Sequence, residues 1–192
     1  VILVKNFYED ATMTDKKESK RIIFLYKDAK PFHRLSPREK LPVPTEPKAI
    51  GAEMADGSVF AGLTDDGRQQ IYVLPADLDL VMTFNDAAKA VEKLNAQKTL
   101  GHSDWQIPSL ENLLVLYKNK NKGKLNGAFT KSKSSGSDDP DWYWSSTEHR
   151  NDPSCVWGVR FSGGYERWLL KDTIRLSCRP VRLAAAPASP GL

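Results

Sequence analysis

The chain has 192 residues, 40% hydrophobic and 27% charged, a balance that suits one globular domain with an appendage better than two full domains. Lys and Arg total 28 against 24 Asp and Glu, a net charge of +4, too slight an excess to point to a nucleic-acid partner. No apolar run approaches the roughly 18 residues that a membrane-crossing helix needs, the opening Val1-Ile2-Leu3-Val4 is too short for a secretory core, and two cysteines, Cys155 and Cys178, make neither a disulfide scaffold nor a metal knuckle.

In chain order, residues 1–48 read as an extended basic segment with one strand candidate, Arg21–Tyr26. From Pro31 to Pro47 there are five prolines, which fix φ and lack a donor, so this stretch reads as a connector and places a domain boundary near Ala49. The runs Ser58–Leu63 and Gln69–Leu74 are rich in β-formers and separated by Thr64-Asp65-Asp66-Gly67-Arg68, which predicts a hairpin. Ala87, Ala90, Val91 and Leu94 fall at helical spacing behind Asn85 as the expected cap. A second helix is expected after Pro108, with Ser109 accepting from free backbone amides and Leu110, Leu113, Leu114 and Tyr117 on one apolar face. Lys118 to Asp141 is rich in Lys, Asn, Ser, Gly and Asp, a composition that predicts a long surface loop. Three strand candidates follow, Cys155–Phe161, Tyr165–Leu170 and Leu176–Arg182, the first two joined by a Ser162-Gly163-Gly164 turn. The Ala- and Pro-rich end, residues 184–192, reads as a flexible tail.

Three segments carry a family likeness: Gly101-His102-Ser103-Asp104-Trp105-Gln106-Ile107-Pro108, then Trp142-Tyr143-Trp144-Ser145-Ser146-Thr147-Glu148, then Cys178-Arg179-Pro180-Val181-Arg182. Together they resemble the C-type-lectin-like family that includes the C-terminal domain of bacterial collagen-like adhesins and many variable proteins of diversity-generating retroelements. The likeness spans about Gly51 to Leu183. It implies an α+β, C-type-lectin-like fold over residues 49–183, with two helices, a small twisted antiparallel sheet and long loops. The resemblance makes Phe161 part of the scaffold, in the family's Phe-x-x-Gly turn. On physical grounds Trp105, Trp144 and Trp157 are expected to anchor the core, and Ser145, Ser146 and Thr147 to satisfy backbone groups of a turn, since no nucleophile elbow surrounds them.

The resemblance further implies receptor recognition through a variable face kept apart from that scaffold. The residues in the corresponding positions are Tyr143, His149, Arg150, Asn151, Arg160, Tyr165, Arg167, Trp168, Leu170, Asp172 and Thr173. With this resemblance Trp168-Leu169-Leu170 reads as part of that face, because one side of a short strand must point outward and exposed aromatic and aliphatic groups beside Arg have the composition of an interface. The alternative is that all three help the core. The implied partner is a protein or surface glycan on a cell, the implied location the surface of a virus particle or cell, and the first 48 residues would mediate oligomerisation or attachment to a larger particle.

Enzymes that make formylglycine are similar in fold and need a reactive cysteine pair near the C-terminus. Cys155 and Cys178 are too far apart in sequence to match that motif, and two readings stay open for them, a disulfide or two free buried thiols. Asp138-Asp139-Pro140-Asp141 and Asn151-Asp152-Pro153 supply oxygens for calcium, but the sugar-binding triplets of calcium-dependent lectins are missing, so both read as turns. His33, His102 and His149 stand at no metal-ligand spacing. The expectation is a binding protein with no catalytic residues, no cofactor and no metal.

Overall fold

The computed structural model describes residues 48–129 and 139–187. The chain divides into two units, Val1–Val43 and Pro44–Leu192. The strand candidate Arg21–Tyr26, the proline-rich connector and His33 lie outside the described residues.

The described residues form a mixed α+β fold of two helices and two sheets. Strands β1 (Val59–Leu63) and β2 (Gln69–Val73) make the expected hairpin. Its turn closes because the Asp66 carboxylate accepts from the Thr64 hydroxyl at 2.6 Å and the Arg68 amide at 3.0 Å, an Asx-type turn. Helix α1 runs Phe84–Ala96. Its cap is Thr83, whose hydroxyl accepts from the Asp86 amide. The expected cap, Asn85, instead sits inside the first turn and donates to the Asp172 side chain. Helix α2 runs Leu110–Asn119 with Ser109 as its cap, accepting from Asn112 N at 3.2 Å. Its apolar face is wider than the one expected and turned toward Leu113, Val115 and Leu116, all buried, while Leu110, Leu114 and Tyr117 pack only partly. Asn119 is drawn in as well, because its amide donates to the Ala61 carbonyl at 2.8 Å.

The segment expected to be a surface loop is partly core. Leu125 and Phe129, at 0% and 6% exposure, join the cluster under α2. A close backbone contact fixes this turn: Lys124 N donates to Gly51 O at 2.9 Å, and a Cβ on Gly51, at φ +83°, would lie 2.3 Å from Lys122 O. Only glycine fits there.

Strand β3 (Asp139–His149) absorbs the Trp-Ser-Ser-Thr-Glu segment and is followed by β4 (Asp152–Arg160) and β5 (Glu166–Leu170). The third strand candidate is in fact two strands in different sheets. Leu176–Ser177 (β6) pairs parallel with β3, while Val181–Ala185 (β7) pairs antiparallel with β2. Pro180 between them lacks the amide a continuous strand would need. The resulting orders are β1-β2-β7 and β5-β4-β3-β6. The tail accordingly begins later than expected, since Ala184 and Ala185 pair with Gln70 and Gln69.

Alternation along β3 divides the core. Tyr143 belongs to the cluster formed with α2, β1, β2 and Phe161, while its neighbour Trp144 belongs to the cluster formed with α1, Trp105, Val156 and Leu176. Successive residues of a strand point to opposite faces, so one strand serves two cores.

Candidate functional site

The register of β4 and β5 builds the site. Lys171 N donates to Ser154 O at 3.0 Å and Arg160 N to Tyr165 O at 2.8 Å, and the Cα pairs between them set Trp157 opposite Trp168 and Cys155 opposite Leu170. In an antiparallel ladder, hydrogen-bonded and non-hydrogen-bonded pairs alternate. Trp157 and Trp168 therefore form a non-hydrogen-bonded pair, the type that brings side chains closest, and they share a sheet face. On the opposite face Val156, Leu169 and Trp144 pack into the α1 core. On the Trp157 face, α2 covers the sheet only near Val159 and Tyr143. Beyond that cover Cys155 is still buried and Trp157 half-buried, but the β5 side is open, leaving Trp168 51% and Leu170 45% exposed.

His149, the last residue of β3, completes this aromatic platform. Its ring centroid lies 5.5 Å from that of Trp168 and 6.1 Å from that of Trp157. Its Nδ1 is shielded from solvent and makes no hydrogen bond among the described residues. The adjoining β3–β4 turn, with Arg150 and Asn151 exposed, is held by Asp152, whose carboxylate accepts from Ser154 N at 3.0 Å and Ser154 Oγ at 2.6 Å. Those two bonds, with a weaker one from the Cys155 thiol, keep the Asp152 carboxyl below its ordinary range.

The other expected face residues divide into groups. Tyr165, 68% exposed, and Arg160, paired with Asp141 at 2.9 Å, stand at the opposite end of β5 from His149. Asp172 and Thr173 are exposed in the turn after β5. Arg167 is exposed but alternates with Trp168, so it springs from the other sheet face. Tyr143 does not belong to any outer face. It is fully buried and donates to Asp77 at 2.6 Å, because the α2 core covers its side of β3.

Among the expected scaffold residues, Trp105, Trp144 and Phe161 are buried. Trp144 Nε1 donates to Met82 O at 2.7 Å and Trp105 Nε1 to Thr99 O at 3.0 Å, so each indole has its polar atom satisfied. Trp157 is the correction here. It lies outside both core clusters, half-buried on the open face, and joins the platform. The Ser-Ser-Thr run lies within β3 and not in the expected turn, but its hydroxyls do bond backbone groups. Ser145 is buried and bonds Trp157 O at 2.8 Å. Ser146, although exposed, donates its amide to Pro108 O at 2.8 Å, and Thr147 Oγ1 accepts from Leu110 N at 2.9 Å. These bonds to the α2 approach replace the regular ladder, and the β3–β4 register shifts between Trp144 and Glu148.

Cys155 and Cys178 are both free and buried. The disulfide reading fails because β3 stands between β4 and β6. Burial, reinforced by the nearby Asp77 charge and only partly offset by Arg179, pushes the Cys178 thiol up to about 12, so it is no nucleophile at neutral pH. Among the described residues, no three His, Cys, Asp or Glu side chains come together as metal ligands, and no helix is long and apolar enough to cross a membrane.

Residues 68–182 match the Lcl C-terminal domain family. The chain belongs to that family. The Lcl C-terminal domain match runs from the start of β2 into β7, and so takes in the second core, most of the first without β1, and the whole aromatic platform. Membership points to a ligand-binding or adhesin-like domain. No curated protein matches the chain.

Proposed function

We propose that this Lcl C-terminal domain is a recognition module that binds a protein or surface-glycan receptor through the His149, Trp157 and Trp168 platform, with Leu170, Arg150 and Asn151 at its margin. The observation that carries the reading is the open half of the second sheet. Two closed clusters already supply the core, yet three aromatic rings and a leucine are gathered on the part of a face that α2 leaves uncovered. Rigid aromatic groups lose little entropy on contact and are enriched where binding energy concentrates. Exposed apolar residues gathered in one place mark interaction sites more often than residues scattered singly.

The finer reading rests on the sequence resemblance. In it the scaffold is C-type-lectin-like, displayed on the surface of a virus particle or cell, and Tyr165, Arg167, Trp168, Leu169, Leu170, Asp172 and Thr173 are positions diversified by a retroelement, although Leu169 packs against the second core. The separation of the platform from the Trp105 and Trp144 anchors supports it, because side chains on an uncovered face change without disturbing the core. The module performs no catalysis and holds no cofactor or metal in this reading. A locus with neither a reverse transcriptase nor a near-copy template would end the diversification part alone.

The binding reading is tested with labelled protein on a glycan array and a panel of displayed extracellular proteins. Trp168→Ala should reduce capture at least 10-fold, an effect of about 1.4 kcal/mol or more, with Arg150→Ala and Asn151→Ala as milder perturbations of the margin. Unchanged capture by a folded Trp168→Ala protein would remove the platform from the recognition model.

A further inference from the structure

The outer edge of β5 presents a second feature, in its backbone rather than its side chains. β5 is the edge of its sheet, with β4 on one side and no described strand on the other. Because Tyr165 and Lys171 bond inward to β4, alternation turns the N–H and C=O groups of Arg167 and Leu169 inward too, and those of Glu166, Trp168 and Leu170 outward. Proteins usually blunt such an edge with proline, a bulge or charges along it. β5 carries two opposite charges, Glu166 and Arg167, at its start, but it has no proline, its pairing with β4 has no register shift, and its centre is an exposed tryptophan.

We infer that this edge is a strand-pairing site for a second copy of the chain, which joins two domains through an antiparallel β5–β5 ladder with its two-fold axis at Trp168. Identical edges pair antiparallel about a two-fold without further adjustment. This register places Trp168 against Trp168 of the second copy, Glu166 against its Leu170, Arg167 against its Leu169 and Tyr165 against its Lys171. No like charges stand directly opposite one another, although Arg167 has Arg167 and Lys171 of the second copy as diagonal neighbours, and the outward N–H and C=O groups of Glu166, Trp168 and Leu170 all find partners. An unrelated extended peptide would use the same edge but gain nothing from this self-complementary order of apolar and charged residues.

The pairing has a consequence for recognition. A two-fold axis perpendicular to the joined sheet keeps equivalent faces on the same side, so both aromatic platforms look the same way. The dimer would offer one bivalent surface, and a receptor array would be bound with an avidity neither copy has alone. The inference rests on the edge of β5 and stands or falls separately from the binding reading.

A ladder of five residues per copy is small beside a stable dimer interface, so the dissociation constant should be on the order of 10–100 µM. Sedimentation velocity on the full chain from about 5 to about 500 µM should then show a monomer–dimer shift. Trp168→Lys and Trp168→Glu each set like charges together at the two-fold and should each stay monomeric, whereas their equimolar mixture should recover the dimer. Glu166→Pro removes an outward amide while sparing the inward ladder, and should be monomeric with an unchanged melting temperature. A parent that stays monomeric throughout the range overturns the inference, including one that instead captures an extended peptide. So does self-association that persists in Glu166→Pro or in both single-charge variants, or a mixture that remains monomeric.

Discussion

Asp56 shows how a single side chain gathers distant parts of the domain. Its carboxylate accepts from Ser58 N at 2.8 Å and Ser58 Oγ at 2.6 Å, lies 2.8 Å from His102 Nε2 and 3.4 Å from Arg182 on β7. Partial burial pushes its pKa upward, but the hydrogen bonds from Ser58 and His102 outweigh that and hold it at about 2, below the ordinary 3.8. A carboxyl depressed in the folded state contributes stability that is complete above its unfolded pKa and is lost as pH falls through the folded one. The Asp56 contribution should therefore disappear between about pH 4 and pH 2. Asp56→Asn should be less stable at pH 7 by about 1–2 kcal/mol, and its urea midpoint should fall less steeply than the parent's across that acid window. Parallel profiles for the two proteins would show that the carboxylate's charge does not stabilise the fold. None of this was legible in the sequence, where Asp56 reads as one of several acidic loop residues. The Trp157–Trp168 pairing was not legible, because a Ser162-Gly163-Gly164 turn would set Phe161 opposite Tyr165 and Trp157 opposite Leu169, whereas Arg160 pairs with Tyr165 and shifts the register by one. Trp157 reads as core by residue type. Large aromatic residues are buried on average, and only the extent of α2 coverage shows that this one is not.

At the scale of elements, α2 joins the helical layer to β3. Its first amides have two hydroxyl acceptors from different parts of the chain, Ser109 for Asn112 N and Thr147 for Leu110 N. Helix N-terminal amides without such acceptors must find water, and removing a capping hydroxyl costs about 1 kcal/mol. Ser109→Ala and Thr147→Val should each lower stability by about that amount in chemical denaturation. A Thr147→Val protein as stable as the parent would show that the contact from β3 adds nothing to the helix end. Ser109 was readable because capping is local, a serine placed just before an apolar periodicity. Thr147 was not, because it reaches Leu110 across 37 positions of sequence. The same distinction explains α1: the period of its apolar residues located it, but Thr83 and Asn85 are equally plausible caps, and the contact from Asn85 to Asp172 comes from β5's far turn.

Across the whole molecule, Arg179 ties the two sheets together at the crossing from β6 to β7. Fully buried, it pairs with Asp77 at 2.6 Å and donates to Leu74 O at 2.8 Å and Ala128 O at 2.5 Å, while its guanidinium lies over the Phe129 ring. Tyr143 donates to the other oxygen of Asp77. One residue thus fastens the end of β2, the approach to α1, the turn after α2 and the centre of β3. Truncating one partner of a buried pair leaves the other charge uncompensated, at a cost of about 3–5 kcal/mol. Arg179→Met should lose that much stability, and adding Asp77→Leu should restore part of it. Near-neutral behaviour of Arg179→Met in thermal and urea unfolding would show that the network is dispensable.

The sequence by itself determined the elements whose signals are local: the β1–β2 hairpin from its strand runs and turn, both helices from their period, and the β4–β5 hairpin from its glycine turn. Alternation said only that one side of Trp168-Leu169-Leu170 faces outward, not which. Tertiary structure decided the rest. It split Leu176–Arg182 between two sheets, drew Leu125 and Phe129 out of a polar stretch into the core, buried Tyr143 and left Trp157 in the open. The reason is that propensity and periodicity act over a few residues and say which sides of an element are apolar, whereas which of those sides is covered depends on elements distant in sequence that come to lie against it.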